Sequence, residues 1–358
     1  MFGDSFIVNF PVSAADPGPS SGRLPTDPML VNGPVVNRTL LNRLYPPGTL
    51  TRNTATVQYD TQNRQMPQST QVSFGYERQI GTTMSVGADF VHNQGRGWLA
   101  YDLNPGLRVN TTRTGAIVRT DLLGLAGQLG IAPFANSVLS RYDYSGETRY
   151  DGLNLSLERR YKGFWSARAS YTLGDARGNN SGVPAATNNF QVLADRHLDL
   201  NYGPLDTDRR HNLTLNGRLE VPHTKGLTVS ALFRYMTGRP FTIMDSTVDA
   251  DRNGILFDPL PAGTYSGVGQ TAMTVTSKGG RNGAYGPDYA QLDTRVGYRV
   301  RPGAARTLDL FAEAFNLTNR SNYTNPPSDR RLPTFLVLNG LVAGGFPRQM
   351  QLGMRLGF

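Results

Sequence analysis

Apolar and polar residues alternate along much of this chain, and this alternation limits what the chain can fold into. In the closing stretch GFPRQMQLGMRLGF, the apolar members of the alternation are Met350, Leu352, Met354, Leu356 and Phe358. Successive side chains of an extended strand point to opposite sides, so these five residues share one face. The residues between them are Gln, Gly and Arg, which share the other face. The pattern predicts a terminal strand whose apolar face must be covered.

The same alternation recurs upstream. The segments that show it are STQVSFGYERQ, TTMSVGADFVHN, DGLNLSLERRY, WSARASYTL, HNLTLNGRLEV, LTVSALFRYM, QLDTRVGYRV and TLDLFAEAFNLTN. In each of them the charged residues keep to one face, as Asp293 and Arg295 do opposite Val296. With GDSFIVNF near the N-terminus, these segments predict an all-β fold of about ten antiparallel strands in a meander.

The connections between these strands alternate in length. Short turns lie near residues 80, 162, 223 and 303, and long connections rich in Gly, Pro, Asn and Asp span 11–67, 93–147, 175–208, 238–287 and 320–345. Loops this long are unusual in a compact soluble domain. Short turns on one side and long loops on the other are typical of outer-membrane barrels. We therefore predict an antiparallel transmembrane β-barrel with lipid-facing apolar faces, a wet lumen, periplasmic turns and extracellular loops.

Composition excludes several functions. The 358 residues contain no Cys, which removes disulfides, thiolate metal sites and Cys nucleophiles. The net charge of +9 arises from residues scattered singly or in pairs such as Arg209-Arg210, unlike the basic patch of a nucleic-acid-binding protein. We expect no nucleic-acid partner.

Large aromatic residues lie near the ends of the predicted strands. They are Tyr76, Trp98, Tyr101, Tyr161, Trp165, Tyr171, Tyr235 and Tyr298. Amphipathic rings favour the two membrane–water interfaces, so this placement fits a barrel. The alternative is the ordinary preference of aromatic residues for strands.

Four stretches carry a resemblance to a known family: FAEAFNLTNRSNY, DRRHNLTLNGRLEV, GPDYAQLDTRVGYRV and FPRQMQLGMRLGF. Together with FGYERQIGTTMSVGADFVHNQGRGWLAYDLNP, they resemble the C-terminal barrel of TonB-dependent outer-membrane receptors of the Oar-like branch. The resemblance implies a 22-stranded barrel with an N-terminal plug, which imports a bulky nutrient across the outer membrane of a Gram-negative bacterium. We expect residues 1–358 to be the C-terminal barrel portion, without the plug, the signal peptide and the N-terminal strands.

The resemblance also implies partners. A C-terminal aromatic preceded by alternating apolar residues is the signal that the barrel-assembly machinery reads, which assigns this role to Phe358 with Met350, Leu352, Met354 and Leu356. The other expected partners are outer-membrane lipid and lipopolysaccharide around the barrel, and TonB through the missing N-terminal part.

One segment resembles a calcium-binding loop. In DADRNGILFD, the possible oxygen ligands are Asp249, Asp251, Asn253 and Asp258. An EF-hand needs a bidentate Glu at its twelfth position, where Leu260 stands, so a solvated Asx-rich turn is the alternative. We expect no other cofactor.

Two alternative functions follow from the sequence. Gly3-Asp4-Ser5 resembles the nucleophile block of GDSL-type esterases, and Asp208 with His211 matches their DxxH motif. Such hydrolases need a doubly wound α/β fold, and nothing between the two motifs alternates strands with helices, so we predict no enzyme and interpret Asp208–His211 as a loop end that leads into a strand. The other alternative is a soluble or surface all-β binding or adhesion module, which would also bury one apolar face.

Overall fold

A computed structural model describes residues 6–9, 56–60, 66–103, 139–179, 202–224, 226–247, 259–302 and 306–358. These residues form β-strands, turns and irregular segments. The strands of the main sheet are β1 (Phe6–Asn9), β2 (Thr56–Asp60), β3 (Gln68–Ile80), β4 (Met84–Leu103), β5 (Leu139–Lys162), β6 (Trp165–Gly178), β7 (Gly203–Pro204), β8 (His211–Glu220), β9 (Leu227–Met236), β14 (Tyr289–Val300), β15 (Thr307–Phe315) and β16 (Gln349–Gly357). Short strands in the connections are β10 (Pro240–Phe241), β11 (Gly263–Ser266), β12 (Thr274–Ser277) and β13 (Ala284–Tyr285).

The predicted meander is confirmed over most of its length. Strands β3, β4, β5, β6, β8, β9, β14, β15 and β16 pair with their neighbours in chain order, and every pair is antiparallel. The turns between β3 and β4 and between β5 and β6 are short, and lie at the same end of the sheet as the β8–β9 and β14–β15 connections. Within the described residues β3 and β16 do not pair with each other, so the described sheet is open.

The N-terminal part differs from the predicted meander. Strand β1 pairs with β2 rather than with β3, and β2 pairs in parallel with Leu139–Tyr142 of β5. This pairing is possible because β5 is longer than predicted: it extends past the end of β6, where Gly178 lies opposite Thr148. Strand β4 pairs with the other edge of the same extension. Both ends of the predicted connection 93–147 therefore belong to strands, β4 at one end and β5 at the other.

The two faces of the sheet have opposite character, as predicted. Across the middle of the sheet one face carries a continuous apolar row of directly opposite residues: Val86, Leu157, Ala169, Leu215, Phe233 and Leu292. The other face carries a polar row: Ser166, Arg218, Ser230, Arg295, Glu313 and Gln351. These are called the apolar face and the polar face below.

The apolar face is uncovered in the described structure. Phe74, Leu352 and Met354 are 71%, 85% and 77% exposed, and no second sheet packs against them within the described residues. Residues this apolar are rarely exposed as a continuous surface in a soluble protein. This arrangement argues against the soluble all-β module, because such a fold would bury this face in a sandwich core.

Tyrosine and tryptophan residues lie towards both ends of the apolar face. Tyr76, Tyr171 and Tyr235 lie in one row towards the long connections. Trp165 and Tyr298 lie near the short turns, where the Arg159 guanidinium stacks 3.6 Å from the Trp165 ring centroid. Trp98 lies outside both groups, at a register shift between β4 and β5.

The main hydrophobic core of the described residues lies in the connections rather than in the main sheet. Phe241, Ile243, Val275, Ala284 and Leu336 are buried together. Backbone hydrogen bonds join the two connections that contribute them, from Met244 N to Ser328 O (3.1 Å) and from Met273 N to Leu336 O (2.9 Å). The described parts of 237–288 and 316–346, here called the loop cap, thus form one packed unit at the long-connection end of the sheet.

The described residues include no helix that is long and apolar enough to cross a membrane.

Candidate functional site

A cavity of about 410 Å³ opens on the polar face, where β8, β9, β14 and β15 run side by side. Its lining includes Arg218, Thr228, Arg295, Arg299, Asp309 and Phe311. Strand alternation places these side chains on one face, and the register of the four strands brings them together. The cavity therefore lies on the polar face.

The charges around this cavity are paired across neighbouring strands. Arg299 Nη2 donates to Asp309 Oδ2 at 2.9 Å, and Arg295 Nη1 donates to Glu313 Oε1 at 2.6 Å. Gln351 Nε2 also donates to Glu313. Opposite charges on directly facing positions stabilise a sheet modestly. The charged side chains of these pairs thus satisfy each other across the strands.

An aromatic ring interrupts this polar surface. Phe311 lies between Gly297 of β14 and Gly353 of β16, and the Arg295 guanidinium sits 4.1 Å from its ring centroid. Gly353, which has no Cβ atom, leaves room for the ring. The cavity therefore offers a cation, a carboxylate and an apolar surface within one patch.

A buried hydrogen-bond network lies where the polar face meets the loop cap. Asp293 Oδ1 accepts hydrogen bonds from Gln291 Nε2 and from the backbone N–H of Asn316, both at 2.8 Å. Asp293 Oδ2 accepts one from Arg234 at 3.4 Å. The Tyr289 hydroxyl donates to Gln291 Oε1 at 2.5 Å. This network fixes the top of β14 against the start of the connection that follows β15.

Asn316 is the centre of that connection. It is 1% exposed, has a φ of 51°, and donates through Nδ2 to the carbonyls of Arg320 (2.9 Å) and Phe346 (3.0 Å). Its Oδ1 accepts from the backbone N–H of Arg320 at 3.1 Å. Asn tolerates this left-handed conformation better than most residues. The strand pattern did not single out Asn316, although an Asn directly after an alternating strand was a usable signal.

A second cavity, of about 330 Å³, lies within the loop cap and beside the β7 segment. Its lining includes Asp206, Arg239, Thr242, Arg281, Asn282 and Asn325. Asn282 holds this region together, because its Nδ2 donates to Asp206 Oδ1 (2.6 Å) and Pro204 O (2.8 Å). Burial lowers the pKa of the Arg281 guanidinium. The cavity presents mixed polar groups at the long-connection end of the sheet.

The two members of the DxxH motif do not bind each other. His211 begins strand β8, as predicted, and its Nδ1 lies 2.7 Å from the Tyr171 hydroxyl. Asp208 is 3% exposed and accepts hydrogen bonds from Ala176 N at 2.9 Å and the Tyr285 hydroxyl at 3.5 Å. Burial raises the pKa of the Asp208 carboxyl. An Asp that orients a catalytic His must bond its ring nitrogen, so this geometry does not support an esterase dyad.

Two predicted sites lie outside the described residues. These are the Gly3-Asp4-Ser5 block and the calcium-like set of Asp249, Asp251, Asn253 and Asp258. Among the residues that are described, there is no group of three or more His, Asp or Glu side chains that could hold a metal ion.

The predicted assembly residues share the apolar face of the last strand. Met350, Leu352, Met354 and Leu356 lie opposite Ala314, Ala312, Leu310 and Leu308 of β15. Phe358 follows the end of β16 and is 89% exposed. The structure thus presents the whole apolar stripe on one accessible side.

These features define a class of protein. An antiparallel meander with an uncovered apolar face, an ion-paired polar face and connections that alternate in length is typical of an outer-membrane β-barrel. The chain belongs to the family described as outer membrane beta barrel domain, which it matches over residues 7–351. It is a protein of the bacterial outer membrane.

Solved structures with a similar chain path are outer-membrane receptors and transporters. The outer-membrane transporter YddB from Escherichia coli has 11% sequence identity and a TM-score of 0.47, with 85% of this chain and 34% of that chain covered. BauA, the ferric preacinetobactin receptor from Acinetobacter baumannii, has 13% identity and a TM-score of 0.43, with 81% and 29% covered. The chain thus spans about a third of the length of these proteins. A search of curated proteins found no match.

Proposed function

We propose that this chain is the C-terminal barrel portion of a TonB-dependent receptor of the Oar-like branch, which takes up a bulky nutrient across the outer membrane. The observation that carries the proposal is the polar face, which combines a cavity of about 410 Å³ with paired charges and the Phe311 ring. A surface of this kind contacts a large polar solute without holding it tightly, because its charges are already neutralised. The sequence resemblance in FAEAFNLTNRSNY and FPRQMQLGMRLGF supports the same assignment.

The complete receptor would contain 22 strands, a plug and a segment that contacts TonB. The open sheet of the described residues fits this proposal, because β3 and β16 each leave an edge for further strands. The loop cap would contact the nutrient first, since it lies on the side of the long extracellular connections. We infer no catalysis.

An uptake experiment tests this proposal. Cells with the gene intact, with the gene deleted, and with TonB disabled would be offered labelled iron chelates, oligosaccharides and peptides. The proposal expects accumulation of one class to need both the gene and TonB. Uptake that needs the gene but not TonB would show a passive channel instead, and no effect of the deletion on any class would contradict uptake.

We propose further that Asp249, Asp251, Asn253 and Asp258 bind Ca²⁺ in an extracellular loop. Carboxylate and amide oxygens at alternate positions before a Gly turn are ligands that Ca²⁺ accepts. Isothermal titration with CaCl₂ should show binding that is lost in Asp249→Asn/Asp251→Asn. Equal heats for both proteins would identify an ordinary turn.

A further inference from the structure

Three separate connections of the chain meet at the cavity of about 330 Å³ in the loop cap. Asp206 lies between β7 and β8, while Asn325 and Ser328 lie between β15 and β16. The connection between β9 and β14 supplies most of the other lining residues: Arg239, Phe241, Thr242, Met244, Arg281 and Asn282. Several polar groups that converge on one partly apolar cavity are typical of a small-molecule site.

The polar groups of this cavity are held in place by one another. Thr242 and Asn282 are 6% and 5% exposed and bond each other twice, through Asn282 N to Thr242 Oγ1 (2.9 Å) and Thr242 Oγ1 to Asn282 Oδ1 (3.2 Å). Asn282 Nδ2 also donates to the Asp206 carboxylate at 2.6 Å. Asn325 Nδ2 donates to the Pro240 carbonyl at 3.1 Å, which joins two of the three connections. A ligand would therefore meet a preorganised site, where binding requires little ordering of side chains.

The charges that line the buried part of the cavity balance each other. Arg281 is 6% exposed; burial lowers the pKa of its guanidinium, and the nearby Asp206 carboxylate opposes this. A bound anion would lie near the Asp206 carboxylate, and a bound cation would lie near the Arg281 guanidinium. Among the described lining residues the remaining charge is on Arg239, which is exposed to solvent and screened by it. The buried part of the cavity therefore favours a neutral ligand.

The charges just outside the lining are mixed as well. Arg209 lies near Arg239 and near the oppositely charged Asp288 carboxylate. Asp245 and Asp329 directly follow the lining residues Met244 and Ser328, and Arg331 lies close enough to interact with both carboxylates. No single sign of charge prevails among the described residues around the cavity.

The lining combines apolar surface with groups that can bond hydroxyls. Pro240, Phe241 and Met244 supply the apolar part. The guanidinium groups donate hydrogen bonds, while the Ser328 hydroxyl and the Asn325 side chain belong to types that both donate and accept. A sugar ring matches this combination, because its hydroxyls both donate and accept and its C–H groups form an apolar surface. The volume of about 330 Å³ is at the lower end for small-molecule sites, so the cavity suits a short part of a longer chain.

We propose that this cavity binds sugar units of a neutral oligosaccharide, and that oligosaccharides are the class of nutrient that the receptor imports. The binding step is inferred from the cavity alone, whereas the import step rests on the proposed function. Sugar hydroxyls would bond the guanidinium groups and the Ser328 hydroxyl, and the C–H face of the ring would lie against Phe241.

Glycan binding by the purified full-length protein tests this inference, in a polyoxyethylene detergent that carries no sugar. A printed array of neutral and acidic glycans from plants, algae and bacteria identifies an oligosaccharide, and isothermal titration with it measures the affinity. Ser328→Trp, which puts an indole ring into the cavity, and Arg239→Ala, which removes a charged donor, should each lower the affinity at least about tenfold. The matched controls are Ser266→Trp, on the exposed face of β11, and Arg331→Ala, at an exposed position outside the lining.

The controls should change the affinity less than about twofold, as expected for surface positions without a ligand contact. Raising the NaCl concentration about tenfold should also change it less than about twofold, because a neutral ligand carries no charge for salt to screen. Heat-modifiable migration on gels checks that each variant folds. If Ser328→Trp fails to fold, Arg239→Ala decides by the same comparison, and no loss of affinity counts against the site.

Four results would overturn the inference. They are an array without bound neutral glycans, a preference for acidic glycans that weakens in salt, equal losses in cavity and control variants, and displacement of the glycan by a peptide digest. Uptake of labelled substrates separates this inference from the proposed function. TonB-dependent uptake of another class by a protein that binds no glycan would refute only the inference, whereas glycan binding without any uptake would refute only the proposed function.

Discussion

Phe311 packs over Gly353 so closely that a Cβ atom at Gly353 would lie 2.2 Å from the Cζ atom of the ring. Residues at directly opposite positions on adjacent strands normally place two side chains next to each other. Here the Phe311 side chain also occupies the space that a side chain at position 353 would take. The ring is held there by the Arg295 guanidinium, 4.1 Å from its centroid.

Gly353→Ala should therefore destabilise the sheet by about 1–3 kcal/mol, because the ring must leave its position or the strands must separate. Urea unfolding of protein refolded in detergent, followed by tryptophan fluorescence, measures this. A double-mutant cycle supplies the control: in a Phe311→Ala background the same Gly353→Ala change should have little effect. Equal losses of stability in both backgrounds would mean that position 353 requires Gly for its backbone conformation and not for the Phe311 ring.

Ala169 and Ser170 are neighbours in β6 and test which face contacts lipid. Ala169 lies between Leu157 and Leu215 in the middle apolar row, whereas Ser170 lies between Ser156 and Thr214 on the polar face. Ala169→Arg should cost about 2–4 kcal/mol, the penalty for a cation at the bilayer midplane. Ser170→Arg should be mild, since the lumen is wet and no cation faces it directly. Refolding yields into lipid vesicles compare the two, and equal damage would show that the faces are wrongly assigned.

Phe358 should matter for assembly and not for stability. Its side chain is 89% exposed, so Phe358→Ala removes little buried area and should leave refolding of the purified protein in detergent unchanged. In cells, the same change in the full-length receptor should sharply lower outer-membrane levels, because the assembly machinery would lose its C-terminal aromatic. Phe346→Ala, at an exposed aromatic away from the terminus, is the control. Unchanged membrane levels for Phe358→Ala would leave Phe358 as an ordinary interface residue.

Asn316→Ala should loosen the connection between β15 and β16. It removes the acceptor for Arg320 N and the donors to the Arg320 and Phe346 carbonyls, and places Ala at a φ of 51°. We expect a loss of about 2–3 kcal/mol, as buried backbone groups lose their partners. Asn319→Ala is a matched control, because Asn319 has a φ of 53° and is exposed, with one hydrogen bond from Arg348 N. Similar losses in both variants would assign the effect to backbone conformation.

The stability of the Asp208 region should depend on pH. Burial raises the pKa of this carboxyl in the folded state, so its protonated form favours folding and its ionised form opposes it. The stabilising contribution is complete below the unfolded pKa of about 3.9 and is lost as pH rises through the folded value. Asp208→Asn should therefore be more stable than wild type at neutral pH and lose this advantage in acid. Urea midpoints measured between pH 3 and pH 8 test this, and a constant difference across the range would contradict it.

Much of the architecture could be predicted because strand alternation is a local property. The residues from Trp165 to Leu173 alternate in character, and any extended conformation of that segment must place Ala169 and Ser170 on opposite faces. Antiparallel pairing across the short turns, as between β3 and β4 or between β5 and β6, could be predicted for the same reason, since a short turn leaves consecutive strands no other arrangement. Membership of an outer-membrane barrel family agrees with these predictions.

Contacts between distant segments were decided by the tertiary structure. Three of these contacts are the parallel pairing of β2 with β5, the position of Phe311 beside Gly353, and the hydrogen bond of His211 with Tyr171 instead of Asp208. Each depends on which residues of separate strands lie opposite each other. Arg149 and Arg177 become neighbours in the same way, because only the strand register places these two residues opposite each other. Alternation determines the face on which a side chain lies, but register and strand length determine its neighbours, and both are set by pairing across the whole sheet.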